Sequence, residues 1–225
     1  HKFALYTSAQ YTDRDGYYGG GLGEAINSKE DFDILSNEDK EEYFSALAKY
    51  GHTTELVGVG GAQYSYNFSP ELNLSLGTEY KYDKLNDEYV GQNRSIDQTV
   101  RTYGNYLQVE WNPIEKLTLL GGSRYDYVDI KGYYLFNGVN KDSNKQISKF
   151  VPRLTAMYNL SETMKLRGSF AQGYRAPQAF DEELHTEVLD GNPIFVELDR
   201  NLTSETSNSF TASLNYTKRE GNTQA

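Results

Sequence analysis

Leu72-Asn73-Leu74-Ser75-Leu76-Gly77-Thr78-Glu79-Tyr80-Lys81-Tyr82 decides the fold. Leu72, Leu74, Leu76, Thr78, Tyr80 and Tyr82 share one parity, while Asn73, Ser75, Glu79 and Lys81 share the other. A repeat of two belongs to a strand with one apolar and one polar face. The tight turn Ser69-Pro70-Glu71 precedes it. On the far side of that turn Leu56, Ala62, Tyr64, Tyr66 and Phe68 oppose Glu55, Gln63, Ser65 and Asn67, which completes a hairpin.

The same grammar recurs along the chain. Residues 2–11 alternate around Phe3, Leu5, Ala9 and Tyr11. Tyr103, Leu107, Val109 and Trp111 alternate before a turn at Asn112-Pro113-Ile114-Glu115, and Leu117, Leu119, Tyr125 and Tyr127 alternate after it. Leu154, Ala156, Tyr158 and Leu160 lead into a turn at Ser161-Glu162, followed by Met164, Leu166, Phe170 and Tyr174. Phe210, Ala212, Leu214 and Tyr216 form the last run. The expectation is an all-β antiparallel meander of about eight long strands, with tight turns at one end and long loops at the other. Residues 83–97 and 129–148 read as polar loops. Ser36 followed by Asp39 has capping-box spacing, which predicts a short amphipathic helix over residues 37–50 on the first long loop.

The apolar parity is graded. Tyr66, Phe68, Trp111, Tyr158 and Tyr216 lie toward the turn end, Leu, Ala, Val and Gly in the middle, and Tyr80, Tyr82, Tyr103, Tyr125, Tyr127 and Tyr174 toward the loop end. Two aromatic girdles around an aliphatic band are what strands crossing a bilayer require. About 10 residues at roughly 3.3 Å each, tilted near 40°, span the ~25 Å apolar band.

Composition narrows the alternatives. The chain has 20 Tyr against 10 Phe and one Trp, a bias that suits rings at a wet apolar boundary rather than a sandwich core. Lys plus Arg number 22 and Asp plus Glu 32, a net charge of −10 with no basic cluster, so nucleic acid is not an expected partner. Cysteine is absent, which removes disulfides and thiol chemistry. No apolar run is long enough for a transmembrane helix.

The stretch from Gly173 to Phe210 carries a resemblance. Tyr174-Arg175-Ala176-Pro177, followed across a long loop by Asn201, Leu202, Glu205 and Ser207, is similar to the paired boxes of TonB-dependent outer-membrane receptors. Asp199-Arg200 and Ser204 depart from the second box, where the family often has Asn-Pro and Pro. The resemblance implies one partial domain, residues 1–225, of a barrel of about 22 strands. It further implies a plug domain of the same full-length chain and a TonB-type energy-coupling protein as partners. A small-molecule metal complex as cargo, outer-membrane lipid around the wall, and the outer membrane of a Gram-negative bacterium also follow. The expected function is energy-coupled uptake of an iron complex, siderophore or haem, with cobalamin as an alternative and no covalent reaction or resident cofactor. A complete eight-stranded barrel acting as adhesin or passive channel is the reading from another class. The opening within a strand at His1 and the close at residues 221–225 speak for an internal piece instead.

Candidate ligand contacts on the loops are Tyr17, Tyr18, Tyr133, Tyr134, Phe136, Arg175 and His185. His185 lies between the two boxes and has two readings, a haem-iron ligand or a helix-capping histidine. Glu30, Asp31 and Asp33 could offer oxygen ligands to calcium, but their spacing fits no EF-hand and reads as a solvated acidic loop. Gly19-Gly20-Gly21 and Gly23 lack a following Lys-Ser/Thr and read as loop, not phosphate cradle. Three histidines with no nucleophile elbow support no hydrolytic triad. Arg124, Arg153, Lys165, Arg167 and Arg175 on the polar parity, with Glu79 and Glu110, would either meet the plug or guide an anionic ligand.

Overall fold

The structure is a computed structural model that describes residues 1–17, 28–47, 50–89, 93–136, 138–177, 188–189, 192–193 and 203–217. Its body is one eight-stranded antiparallel sheet. The strands are β1 (Lys2–Tyr17), β2 (Tyr50–Ser69), β3 (Leu72–Tyr89), β4 (Arg94–Ile114), β5 (Leu117–Phe136), β6 (Val139–Asn159), β7 (Met164–Arg175) and β10 (Glu205–Tyr216). Their spatial order is β1-β2-β3-β4-β5-β6-β7-β10, a meander in which each strand lies beside its neighbour in sequence. The pair β8 (Val188–Leu189) and β9 (Asn192–Pro193) lies between β7 and β10 in the chain. β1 and β10 do not pair, so the sheet is open and the eight strands do not close a barrel among themselves.

The turns at one end are built locally. At Ser69-Pro70-Glu71 the Glu71 amide donates to Ser69 Oγ at 3.2 Å and the Ser69 hydroxyl to Glu71 Oε2 at 2.6 Å. At the third turn the Met164 amide donates to Ser161 Oγ at 3.1 Å. The second turn sits slightly later than its Asn-Pro signature suggests, because β4 runs to Ile114 through a bulge after Trp111. At the opposite end Asn93 (φ 47°) and Gly138 (φ 80°) take the left-handed backbone that a tight hairpin tip demands.

Two expected loops are strands. Residues 83–89 and 94–97 pair continuously in β3 and β4, and residues 127–136 pair with 139–148 in β5 and β6. The physical reason is a switch of parity. Up to Tyr82 the apolar residues of β3 are even-numbered, and above it they are Leu85 and Tyr89. In β4 the change is from Tyr103, Leu107 and Trp111 to Ile96 and Val100, and in β5 from Tyr125 and Tyr127 to Val128, Ile130 and Tyr134. These switched residues are the buried apolar core. Below the switch the strands turn apolar side chains away from the polar face, and above it they turn them onto it.

β1 likewise continues beyond Tyr11 to Tyr17, which pairs with Tyr50. The predicted helix exists as α2 (Asn37–Leu47), preceded by the short α1 (Lys29–Asp33). The Ser36 side chain caps α2, accepting from the Asp39 amide at 3.1 Å and donating to its carboxylate at 2.7 Å. No helix among the described residues is long and apolar enough to cross a membrane.

Candidate functional site

The two faces of the sheet have different chemistry. On one face Phe3, Leu5, Leu76, Leu107, Leu154, Leu166, Phe210 and Leu214 stand exposed. Above them the rings of Tyr80, Tyr103 and Tyr127 lie side by side, with centroids 4.8 Å and 6.5 Å apart. Below them stand Phe68, Trp111, Tyr158 and Tyr216, with Phe68 edge-on to Tyr66 at 4.5 Å. Exposed apolar surface of this extent, rimmed by aromatics, fits hydrocarbon between two interfaces.

The opposite face carries a continuous polar row. Tyr6 pairs with Gly61, Gly61 with Glu79, Glu79 with Gly104, and Gly104 with Asp126, so one register level crosses five strands. The Tyr6 hydroxyl donates to Glu79 at 2.8 Å, and Arg124 donates to Glu79 at 2.9 Å and to Asp126 at 2.6 Å. The Tyr174 hydroxyl completes the row by donating to the other oxygen of Asp126 at 2.9 Å. Glycine is required between these partners because a Cβ at Gly61 would run into the Tyr6 ring, and one at Gly104 into Arg124 and Asp126. Asp126 is only 4% exposed, and both its oxygens are engaged.

Tyr174 corrects the expected upper girdle. β7 pairs with β6 only as far as Ala171 opposite Arg153, whereas its pairing with β10 continues to Arg175 opposite Glu205. The parting follows Pro152, which has no N–H to donate. Beyond that point the β7–β10 ribbon folds over the polar face. Tyr174 and Ala176, with Ile147, pack on Val100, Val128 and Ile130. The side of the ribbon that faces outward lower down therefore covers the inner wall higher up.

The two sequence boxes meet in this ribbon. Gly173 pairs with Ser207, Tyr174 with Thr206 and Arg175 with Glu205, and the Arg175 guanidinium donates to Glu205 at 3.1 Å. Ser207 lies close enough to fill the space where a Gly173 side chain would be. Asn201 and Leu202 of the second box lie outside the described residues, as do Tyr18 and His185. Tyr17 ends β1 opposite Tyr50, and Phe136 ends β5 opposite Val139 and Arg94. Tyr133 is exposed on the outward parity, not inside a loop tip. Tyr134 is 5% exposed, its hydroxyl donating to Gln98 at 3.4 Å, so it packs the inner wall. Asp31 and Asp33 lie on α1, and among the described residues no three His, Asp or Glu side chains converge as a metal site.

Sequence reasoning missed the upper inner wall. There the Thr53 hydroxyl donates to the fully buried Asp87 at 2.6 Å, and Arg94 lies over the Tyr89 ring at 5.2 Å. Burial pushes the Asp87 carboxyl up, against the Thr53 hydrogen bond and the charges of Arg94 and Arg14. His52 pairs with Asp15 at 2.8 Å and Asp13 at 3.7 Å; the Asp15 hydrogen bond chiefly raises its imidazole pKa. The missed signal was the parity switch, because alternation persisted while the apolar residues changed register.

Apolar outward band, girdles, tight turns at one end, tall hairpins at the other and a polar inner row define the wall of a large transmembrane β-barrel. The chain belongs to the family of TonB dependent receptor-like β-barrels, whose model matches residues 2–225. This is a family of transport receptors of the Gram-negative outer membrane, and the chain resides in that membrane. Among solved structures it is similar to the ferric yersiniabactin uptake receptor FyuA from Yersinia pestis, with 17% identity and a TM-score of 0.50, covering 75% of this chain and 27% of that one. It is also similar to the alcaligin outer-membrane receptor FauA from Bordetella pertussis, with 16% identity and a TM-score of 0.44, covering 57% and 22%. The chain thus spans about a quarter of the length of these receptors. No curated protein matches it.

Proposed function

We propose that this chain forms part of the barrel of a receptor that takes up an iron complex, siderophore or haem, across the outer membrane. Uptake is driven by a TonB-type partner acting through a plug domain of the full-length protein. The chain catalyses no covalent reaction: its strands hold a wall, and its loops and inner face present side chains to the cargo. Tyr17, Tyr18, Phe136, Arg175 and His185 are the proposed contacts, with Tyr134 supporting them from within the wall and Tyr133, on the outward parity, turned away from the lumen. The observation that carries the reading is the family match over residues 2–225 on a wall that is apolar outside and polar within. Such a wall encloses a wet lumen, where a polar cargo and a plug can sit.

The test is uptake by the complete receptor in iron-limited cells lacking their own receptors. The cells are offered a ferric tris-catecholate, a ferric trihydroxamate, haem or cyanocobalamin, with and without the energy-coupling protein. Accumulation of one iron complex that stops without coupling is the expected result. Coupled accumulation of cyanocobalamin alone would move the function to cobalamin. Equilibration without coupling would return it to a passive channel, a reading that the open sheet already disfavours.

A further inference from the structure

Above Ala171 the β7–β10 ribbon has no backbone pairing to β6 among the described residues, so side chains hold it to the wall instead. Tyr174 and Ala176 face that wall, packing on Val100, Val128 and Ile130, and the Tyr174 hydroxyl donates to Asp126. Strand side chains alternate. Arg175, between the two, therefore points the other way, into the lumen. It is 49% exposed beside Glu205, 71% exposed, to which its guanidinium donates at 3.1 Å. One residue of this pair comes from each family box. The wall contact of Tyr174 thus aims its neighbour at the space a cargo would enter.

The anchor is itself aimed. Arg124 Nε donates to Oδ1 of Asp126 at 2.6 Å, which leaves Oδ2 turned to the Tyr174 hydroxyl. Arg124 also reaches across Gly104 to Oε1 of Glu79 at 2.9 Å, and Oε2 of Glu79 accepts from Tyr6 at 2.8 Å. All four carboxylate oxygens have a donor, and the bonds run unbroken from β1 to the ribbon. The strands β3, β4 and β5 are already joined by continuous backbone pairing, so the wall needs no such bridge. The ribbon does. We infer that Arg124 is a positioning residue for cargo binding: acting through Asp126 and Tyr174, it fixes the height and direction at which Arg175 and Glu205 meet the cargo. The inference rests on the uptake function proposed above, with Arg175 as a contact. Glu79 and Tyr6 act one and two bonds further back, by holding Arg124 in place.

The test titrates the purified full-length receptor with a ferric tris-catecholate, a ferric trihydroxamate, haem and cyanocobalamin, and follows amide hydrogen exchange by mass spectrometry. In Arg124→Met, the compound that the unsubstituted receptor binds is expected to bind about tenfold more weakly, the size of losing one hydrogen bond to a charged group. Exchange rises at residues 173–175 and 205–207 and stays unchanged in β2 to β5. Arg124→Lys, able to reach Asp126 or Glu79 but not both, falls between Arg124→Met and the unsubstituted receptor. Lys131→Gln, on the outward face, serves as control. Should Arg124→Met fail to show the heat-dependent gel shift of a folded barrel, Tyr174→Phe, which keeps the ring and every charge, is measured with the same expectation. Unchanged affinity, with or without a loosened ribbon, overturns the inference, because the cargo would not depend on the ribbon's pose. Weaker binding with exchange raised through all eight strands overturns it too, assigning Arg124 to the wall at large. Either result leaves the uptake function standing. If the unsubstituted receptor neither binds nor accumulates any of the four compounds, the uptake function falls and the inference with it.

Discussion

The Tyr174 hydroxyl donates to Oδ2 of Asp126 at 2.9 Å, joining the first family box to a carboxylate 48 residues earlier in the chain. This bond holds the inward-folded ribbon against the wall. Tyr174→Phe keeps the ring on Val100, Val128 and Ile130 but leaves a buried carboxylate oxygen without its donor. The expected cost is about 1–3 kcal/mol, read as a lower urea midpoint for the full receptor in lipid vesicles. An unchanged midpoint would mean the hydroxyl does not anchor the ribbon.

Gly77 lies under the Tyr106 ring, whose hydroxyl donates to Gln63 at 2.8 Å. Gly77→Val puts a side chain where the ring lies and should destabilise by about 1–3 kcal/mol. Tyr106→Ala in the same chain should recover part of that loss, since the clash is removed. Simple additivity of the two substitutions would show that the ring is not the obstacle.

Leu107 stands midway between Trp111 and Tyr103 on the outward face of β4. Leu107→Arg places a charge near the bilayer midplane and should cost about 2–4 kcal/mol, whereas Trp111→Arg, at the interface, should cost about 0–1 kcal/mol beyond the lost ring packing. Vesicle-based unfolding compares the two. The reverse order would put the membrane band at a different height on the strands.

His52 titrates above its ordinary value, first because of Asp15 and then through Asp13 and Glu88. Its interaction is therefore fully present below an unfolded pKa of about 6.5. It is lost as pH rises through the higher folded value. The imidazole pKa measured by NMR should drop in Asp15→Asn, and proteolysis of the β1–β2 hairpin top should increase over the same pH window. A wild-type value at or below the ordinary one would dismiss the pair.

Asp87 behaves with the same sign for a different reason. Burial raises its folded pKa, so the protonated form is favoured and stability falls as pH rises through that value. Asp87→Asn should flatten this dependence while keeping the Thr53 contact. A pH profile identical to that of the unsubstituted receptor would show that Asp87 does not titrate in this range.

The eight strands, their antiparallel order, the turn end, the capped helix and the outward aliphatic band were legible because period-two alternation and turn chemistry are local. The loops at residues 83–97 and 129–148 were misread because charged residues such as Asp83, Lys84, Asp87, Asp129 and Lys131 look like loop when counted for polarity. They alternate as strictly as the leucines below them, with the apolar partners shifted to the other face. Tyr174 was misplaced because its parity matches Phe170, and only the parting of β7 from β6 turns that face inward.

By itself the sequence determined that this is a membrane wall, since which side chains alternate, and how their polarity is graded along each strand, is written residue by residue. Tertiary structure alone decided the Tyr6–Glu79–Arg124–Asp126–Tyr174 row and the docking of the box on Val128 and Ile130. Those depend on register between strands distant in sequence, and a one-residue slip in any pairing would send the same side chains to the other face.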